Sequence, residues 1–161
     1  MHAIVTFIAK YFIALSVIGI CIVWLRLNMS NKKRFIVVAV IGAILTIVLA
    51  KLASKLYYDP RPFVAGHFTP YFSHGNDNGF PSDHTLFASF LAFLSWYYSK
   101  KAGLGLLIVA LLIGLSRVVA GVHHLLDILG SMVFAFVGSW LAFYLVQKIA
   151  QKRSADKSVT P

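Results

Sequence analysis

"LGLLIVALLIGLSRVVAGVHHLLDILGSMVFAFVGSWLAFYLVQ", residues 104–147, decides the fold. Two apolar runs, Leu104–Ala120 and Ile128–Gln147, flank a short junction. At about 1.5 Å of rise per residue, each approaches the roughly 30 Å of a bilayer's hydrocarbon. Gly114, Gly130, Ser131, Gly138 and Ser139 lie within or beside the runs. Small residues of this kind let membrane helices approach closely. The polar groups fall almost wholly at the junction, "SRVVAGVHHLLD", Ser116–Asp127. Two membrane helices joined by a chemically loaded turn is the reading from which the rest follows.

The remainder of the chain repeats the pattern. Further apolar runs cover Ile4–Leu25, Phe35–Tyr57 and Thr85–Tyr98, the last being the shortest. Of 161 residues, 59% are hydrophobic and 12% charged, with a mean hydropathy of +0.79. A soluble domain carries about 25% charged residues. The expected fold is therefore all-α, a polytopic transmembrane helix bundle of about five spanning helices plus a long outer loop. Residues 1–150 form a single domain and 151–161 a polar, disordered cytoplasmic tail. The one cysteine, Cys21, lies in an apolar run and cannot form an intrachain disulfide. The N-terminal run lacks a basic leader and a small-residue cleavage site, so it reads as a retained helix.

The formal net charge of +10 does not point to nucleic acid, because the cations concentrate between apolar runs. Arg26, Lys32, Lys33, Arg34, Lys100, Lys101, Lys148, Lys152, Arg153 and Lys157 share one side if the five runs cross in turn. By the positive-inside rule that side is cytoplasmic. The C-terminus is then inside and the N-terminus outside. The sequon "NMS", Asn28–Ser30, falls on the cytoplasmic side and reads as chance. On the outer side are Asp59, Asp77, Asp83 and Asp127, together with His67, His74, His84, His123 and His124. Insertion into a membrane does not require such a concentration, and a connection as long as Tyr58–His84 suggests function. His67 and His74 read as interfacial loop residues, and "SHGNDNGF" as turns.

Three clusters meet on that side: "KLYYDPRPF" (Lys55–Phe63), "PSDH" (Pro81–His84) and "SRVVAGVHHLLD". Each has a bland reading. Arg61 can snorkel to headgroups, Ser82 or Asp83 can cap a helix, and His123 with Asp127 can be a structural pair. Arg117 is harder to dismiss, because an ionisable residue near the end of an apolar run is costly and usually functional. His123 and Asp127 are four apart and share a helix face. An aspartate there fixes the imidazole tautomer and leaves the other nitrogen free to attack. Arginine forks match phosphate geometry. One histidine can attack while another protonates the leaving oxygen. The inventory fits phosphoryl transfer, with no cofactor and no metal required. Two other classes stay open: a metalloenzyme with His84, His123, His124 and Asp127 as ligands, and a transporter whose buried charges line a pathway.

In this order the clusters resemble the signature of the type 2 phosphatidic acid phosphatase superfamily of integral-membrane lipid phosphatases. The family pattern is Lys, six residues, Arg-Pro; then Pro-Ser-Gly-His; then Ser-Arg, five residues, His, three residues, Asp. The third element fits Ser116–Asp127 without a gap, and Arg61-Pro62 fits the end of the first. The resemblance covers roughly residues 51–130. It implies that His123 is the nucleophile forming a phosphohistidine, oriented by Asp127. His84 would protonate the leaving group, while Arg61, Arg117 and Ser82 bind the phosphoryl oxygens.

Two positions depart from the pattern. Ser54 stands where the family has lysine, with Lys55 one place late, and Asp83 replaces glycine. Lys55 and Asp83 are kept as candidate substrate contacts. "PRPF" and "PSDH" resemble the branch that hydrolyses undecaprenyl diphosphate, the bacterial cell-wall carrier lipid. The expectation is thus a bacterial plasma-membrane hydrolase with an outward-facing site and a lipid substrate, a prenyl diphosphate or a phospholipid phosphate. Neither a nucleic acid partner nor an oligomeric state is implied.

Overall fold

The computed structural model describes the backbone of residues 1–159 and the side chains of residues 1–152. Its helices are α1 (His2–Leu25), α2 (Met29–Leu56), α3 (Pro62–Ala65), α4 (Asp83–Trp96), α5 (Lys100–Val119) and α6 (Leu125–Val159). The polar tail expected from Gln151 onward lies mostly outside the residues with described side chains, although the α6 backbone continues to Val159.

Among the described residues, four helices are long and apolar enough to cross a membrane: α1, α2, α5 and α6 through Lys152. The third apolar run differs from them. It forms the 14-residue α4, about 21 Å long at helical rise. Yet α4 is the centre of the bundle, packed on α5, α6 and α1 and only lightly on α2. Ala88, Ser89, Ala92 and Ser95 on it are fully buried. A helix surrounded by other helices needs no long lipid-facing stripe of its own, which is how so short a run occupies the middle of the bundle.

Small residues set the registers. Gly103 of α5 lies against the backbone of Trp96, where an added Cβ would stand 2.6 Å from Trp96 Cα. Eleven residues on, Gly114 meets Thr85, eleven residues back in α4, which fixes the pair as antiparallel. Gly138 of α6 presses on Thr46, and Gly42 of α2 faces Ala142 in the same antiparallel sense. Ser131 and Ser139 are also fully buried.

α2 begins earlier than the apolar run, because the Asn28 side chain accepts a hydrogen bond from the Asn31 N–H (2.9 Å) and caps the helix. The asparagine of the sequon is thus a helix cap, and Lys32, Lys33 and Arg34 lie on the first turns of α2. Helix order gathers these cations with Arg26, Lys100 and Lys101 at one end of the bundle. The other end holds the 57–82 connection, the turn between α5 and α6, and the start of α1, whose His2 ring stacks on Tyr71 at 3.7 Å. We call this the site end.

Candidate active site

The connection from α2 to α4 contains the short α3 but is tightly tied. Asn78 is its fastener. The Asn78 amide donates to the Ser54 carbonyl (3.0 Å), the Ser54 hydroxyl (3.1 Å) and the Tyr57 carbonyl (2.9 Å). Its oxygen accepts from the Asp59 and Phe80 N–H groups. Ser54, at the family's lysine position, is therefore a partner of Asn78. Gly121, with φ +78°, makes the left-handed turn that returns the chain from α5. Its carbonyl accepts from Phe63 N–H at 3.1 Å, so the first and third clusters are joined through backbone.

That joint delivers Arg61 to His123. Arg61 is buried, and one terminal nitrogen donates to the Val122 carbonyl (3.0 Å) and reaches His123 Nε2 (3.2 Å). Guanidinium can only donate, so His123 Nε2 carries a lone pair and the ring proton sits on Nδ1. His123 Nδ1 meets Asp127 Oδ2 at 3.1 Å. The pair is not formed along one helix face as its spacing predicts. His123 and His124 precede α6. Asp127, in the first turn, reaches back so that Oδ2 also accepts the His124 backbone N–H (2.9 Å). This is one half of a capping box, and the cap holds the carboxylate that orients the imidazole. Asp127 is fully buried and its Oδ1 has no partner among the described residues.

The His123 ring is held below its ordinary pKa by burial, with Arg117 and Arg61 pushing the same way against Asp127. Its neutral form is the one that can attack. Arg117, in the last turn of α5 and 2% exposed, also meets this space. It donates to the Ala9 carbonyl of α1 (3.4 Å) and to His74 Nε2 (2.9 Å).

Of the expected site residues, Arg61, Arg117, His123, His84 and Asp83 line one cavity of about 370 Å³, and Asp127 stands directly behind His123. Ser82 is brought close but not into the lining. It takes the N-cap position of α4, its N–H donates to the Asp127 carbonyl (3.3 Å), and its hydroxyl accepts from Thr85 (3.2 Å). Lys55 is exposed on the last turn of α2 and does not line the cavity; Lys51 and Ser54 do.

Three further residues belong here. Asp77 Oδ1 accepts from Arg61 Nε (3.1 Å) and a terminal nitrogen (3.0 Å), fixing the fork. Partial burial works against its charge, yet the Arg61 hydrogen bond and positive charge hold the Asp77 carboxyl below its usual range. His74, read from sequence as a loop residue, lines the cavity edge-to-face with His123 at 5.9 Å. Burial, then the charges of Arg61 and Arg117, keep it neutral by lowering its pKa. The His124 ring also has a partner, its Nδ1 meeting Asp59 Oδ2 at 3.0 Å. Burial and the nearby Asp127 charge raise the Asp59 pKa.

Asp59, His124 and Asp127 bring ligand atoms within 4.8 Å of one another, close enough to hold a cation. The group differs from the metal set read from sequence, sharing only His124 and Asp127 with it. Asp127 Oδ2 and His124 Nδ1 are already engaged within the protein.

A bundle of bilayer-spanning helices with two buried arginines and an oriented imidazole around one cavity defines a membrane phosphatase. The chain belongs to the PAP2 superfamily, whose family model matches residues 32–151. It is 34% identical over 143 residues to the undecaprenyl-diphosphatase BcrC of Bacillus subtilis (strain 168), covering 89% of this chain and 74% of that one. It is 28% identical over 151 residues to a Bacillus licheniformis protein named as the bacitracin transport permease BcrC, covering 93% and 74%. The crystal structure of Aquifex aeolicus LpxE superposes with a TM-score of 0.66 at 21% identity, over 89% of this chain and 85% of that one. That likeness bears on the fold alone.

Proposed function

We propose that the protein is a bacterial plasma-membrane phosphatase that hydrolyses undecaprenyl diphosphate to undecaprenyl phosphate and inorganic phosphate, renewing the carrier lipid of cell-wall synthesis. The observation that carries the chemistry is the Asp127–His123–Arg61 chain, in which Nδ1 is tethered to Asp127 and the Nε2 lone pair meets Arg61, on a histidine that lines one cavity with Arg117 and His84. His123 Nε2 attacks the terminal phosphorus. The bond from that phosphorus to the bridging oxygen breaks, its electron pair stays on the bridging oxygen, and His84 supplies a proton there. Asp127 stabilises the charge that His123 gains. Water then attacks the phosphohistidine, His84 takes its proton, and phosphate leaves. Arg61 and Arg117 provide the positive charge for the phosphoryl oxygens, so the reaction needs no metal ion. Ser82 supports the same site by holding the Asp127 backbone.

The substrate reading rests on "PRPF" and "PSDH" and on the named activity of the Bacillus subtilis relative. A groove between α2 and α4 suits the prenyl chain: Ala43, Thr46, Ile47, Leu86, Phe87 and Phe90 line it, with Asp83 at its polar end. The distribution of lysine and arginine supports a site end outside the cell and a C-terminus within.

The test is phosphate release by purified protein from undecaprenyl diphosphate, phosphatidylglycerol phosphate, phosphatidic acid and a lipid A phosphate, with and without EDTA. Undecaprenyl diphosphate should be turned over fastest, with full activity in chelator and a loss of at least about 1000-fold in His123→Ala. Loss in EDTA would point to a metal enzyme. No hydrolysis of any lipid would point to transport.

A further inference from the structure

We infer that Lys51 binds the phosphate that remains on the lipid and so selects diphosphate over monophosphate head groups. The inference rests on the reading of the substrate as a lipid diphosphate. Ala43 and Ile47 of α2 line the apolar groove, while Ala50, Lys51 and Ser54 line the polar cavity. Their spacing of three and four residues makes one continuous stripe on one helix face. Groove and cavity are thus two stretches of a single channel, and Asp83 borders both. A diphosphate lipid lying in it has a forced order. The chain occupies the groove, the terminal phosphate meets His123, Arg61 and Arg117, and the inner phosphate falls where groove becomes cavity.

At that transition α2 offers Lys51. Its ammonium has no hydrogen-bond or ion-pair partner among the described residues, whereas both arginines of the inner site are held by protein acceptors. An unpaired ammonium on a residue that lines this level of the channel is suited to the inner phosphate, which gains negative charge as the bridging bond breaks. Asp83 borders the same opening and bars a second anion from lying there unless a cation offsets it. Lys55, one turn farther along α2, stands about 6 Å beyond this level and outside the cavity.

The experiment compares competitive inhibition by methylenediphosphonate, a diphosphate that cannot be cleaved, with inhibition by inorganic phosphate. In Lys51→Met the diphosphonate should bind about tenfold more weakly and phosphate less than about twofold more weakly; Lys51→Arg should restore the difference. Equal weakening of both inhibitors, or of neither, overturns the role of Lys51. Lys55→Met is the control and should change neither. If the wild-type protein releases no phosphate from undecaprenyl diphosphate, the substrate reading fails by itself. The inhibitor comparison can then be run on whichever lipid is hydrolysed, and still decides the role of Lys51.

Discussion

At the scale of single residues, the proposed chemistry depends on His123 staying neutral where two arginines converge. Burial depresses its pKa below the ordinary 6.5, and Arg117 and Arg61 add to the effect against the opposing pull of Asp127. A histidine with a lowered pKa keeps its lone pair to lower pH. We expect the acid limb of kcat/KM, set by protonation of His123, to lie below pH 6.5, while His84, which must carry the proton it donates, sets the limb on the alkaline side. In Arg61→Gln one depressing charge is gone, so the acid limb should move up, on top of a large loss of rate. Phosphate release followed from about pH 4 to about pH 9 checks both; a wild-type acid limb above 6.5 would contradict the geometry. That Arg61, His84, Arg117, His123 and Asp127 gather at one end of the bundle was legible in the sequence, from the three polar clusters and the distribution of lysine and arginine. Asp77 and His74 were not. Their partners lie 16 and 43 residues away, and "SHGNDNGF" has the same composition whether it serves as a turn or as a site wall. Lys51 was hidden for another reason: the family spacing directed attention to Ser54 and Lys55, while the helix stripe runs through Lys51.

Among elements, the turn from Ala120 to His124 carries the greatest positional burden. It holds Arg61 through the Val122 carbonyl and Phe63, two residues on, through the Gly121 carbonyl, and begins the cap that holds Asp127. Gly121→Ala would put a side chain at φ +78° and its Cβ 2.5 Å from the Phe68 ring. The expected cost is about 1–3 kcal/mol, read as a lower Tm in detergent, with phosphatase activity falling further than stability because Arg61 loses its register. The apolar runs predicted five helices within a few residues at most ends. Two departures have physical reasons: Asn28 caps α2 early, and His123–Asp127 is a helix start in place of a helix face. Neither follows from hydropathy, which is insensitive to where a single polar side chain turns back on the backbone.

For the whole molecule, the arrangement of cations at one end and site residues at the other turns orientation into a measurable quantity. Cys21 is the single cysteine, so in a Cys21→Ser background Ser73→Cys and Lys101→Cys report on opposite ends. A membrane-impermeant maleimide added to intact cells should label the first and spare the second; the reverse pattern would invert the proposed orientation. The two flanks of the bundle are also unequal. On one, α1 precedes the residues matched by the family model, yet its Ala9 carbonyl reaches Arg117 and its start stacks on the loop. On the other, α2 and α4 touch only lightly. The protein therefore has a back and a front. A neighbouring protein moored against α1 would leave lipid traffic undisturbed, whereas one moored across α2 and α4 would act as a cork.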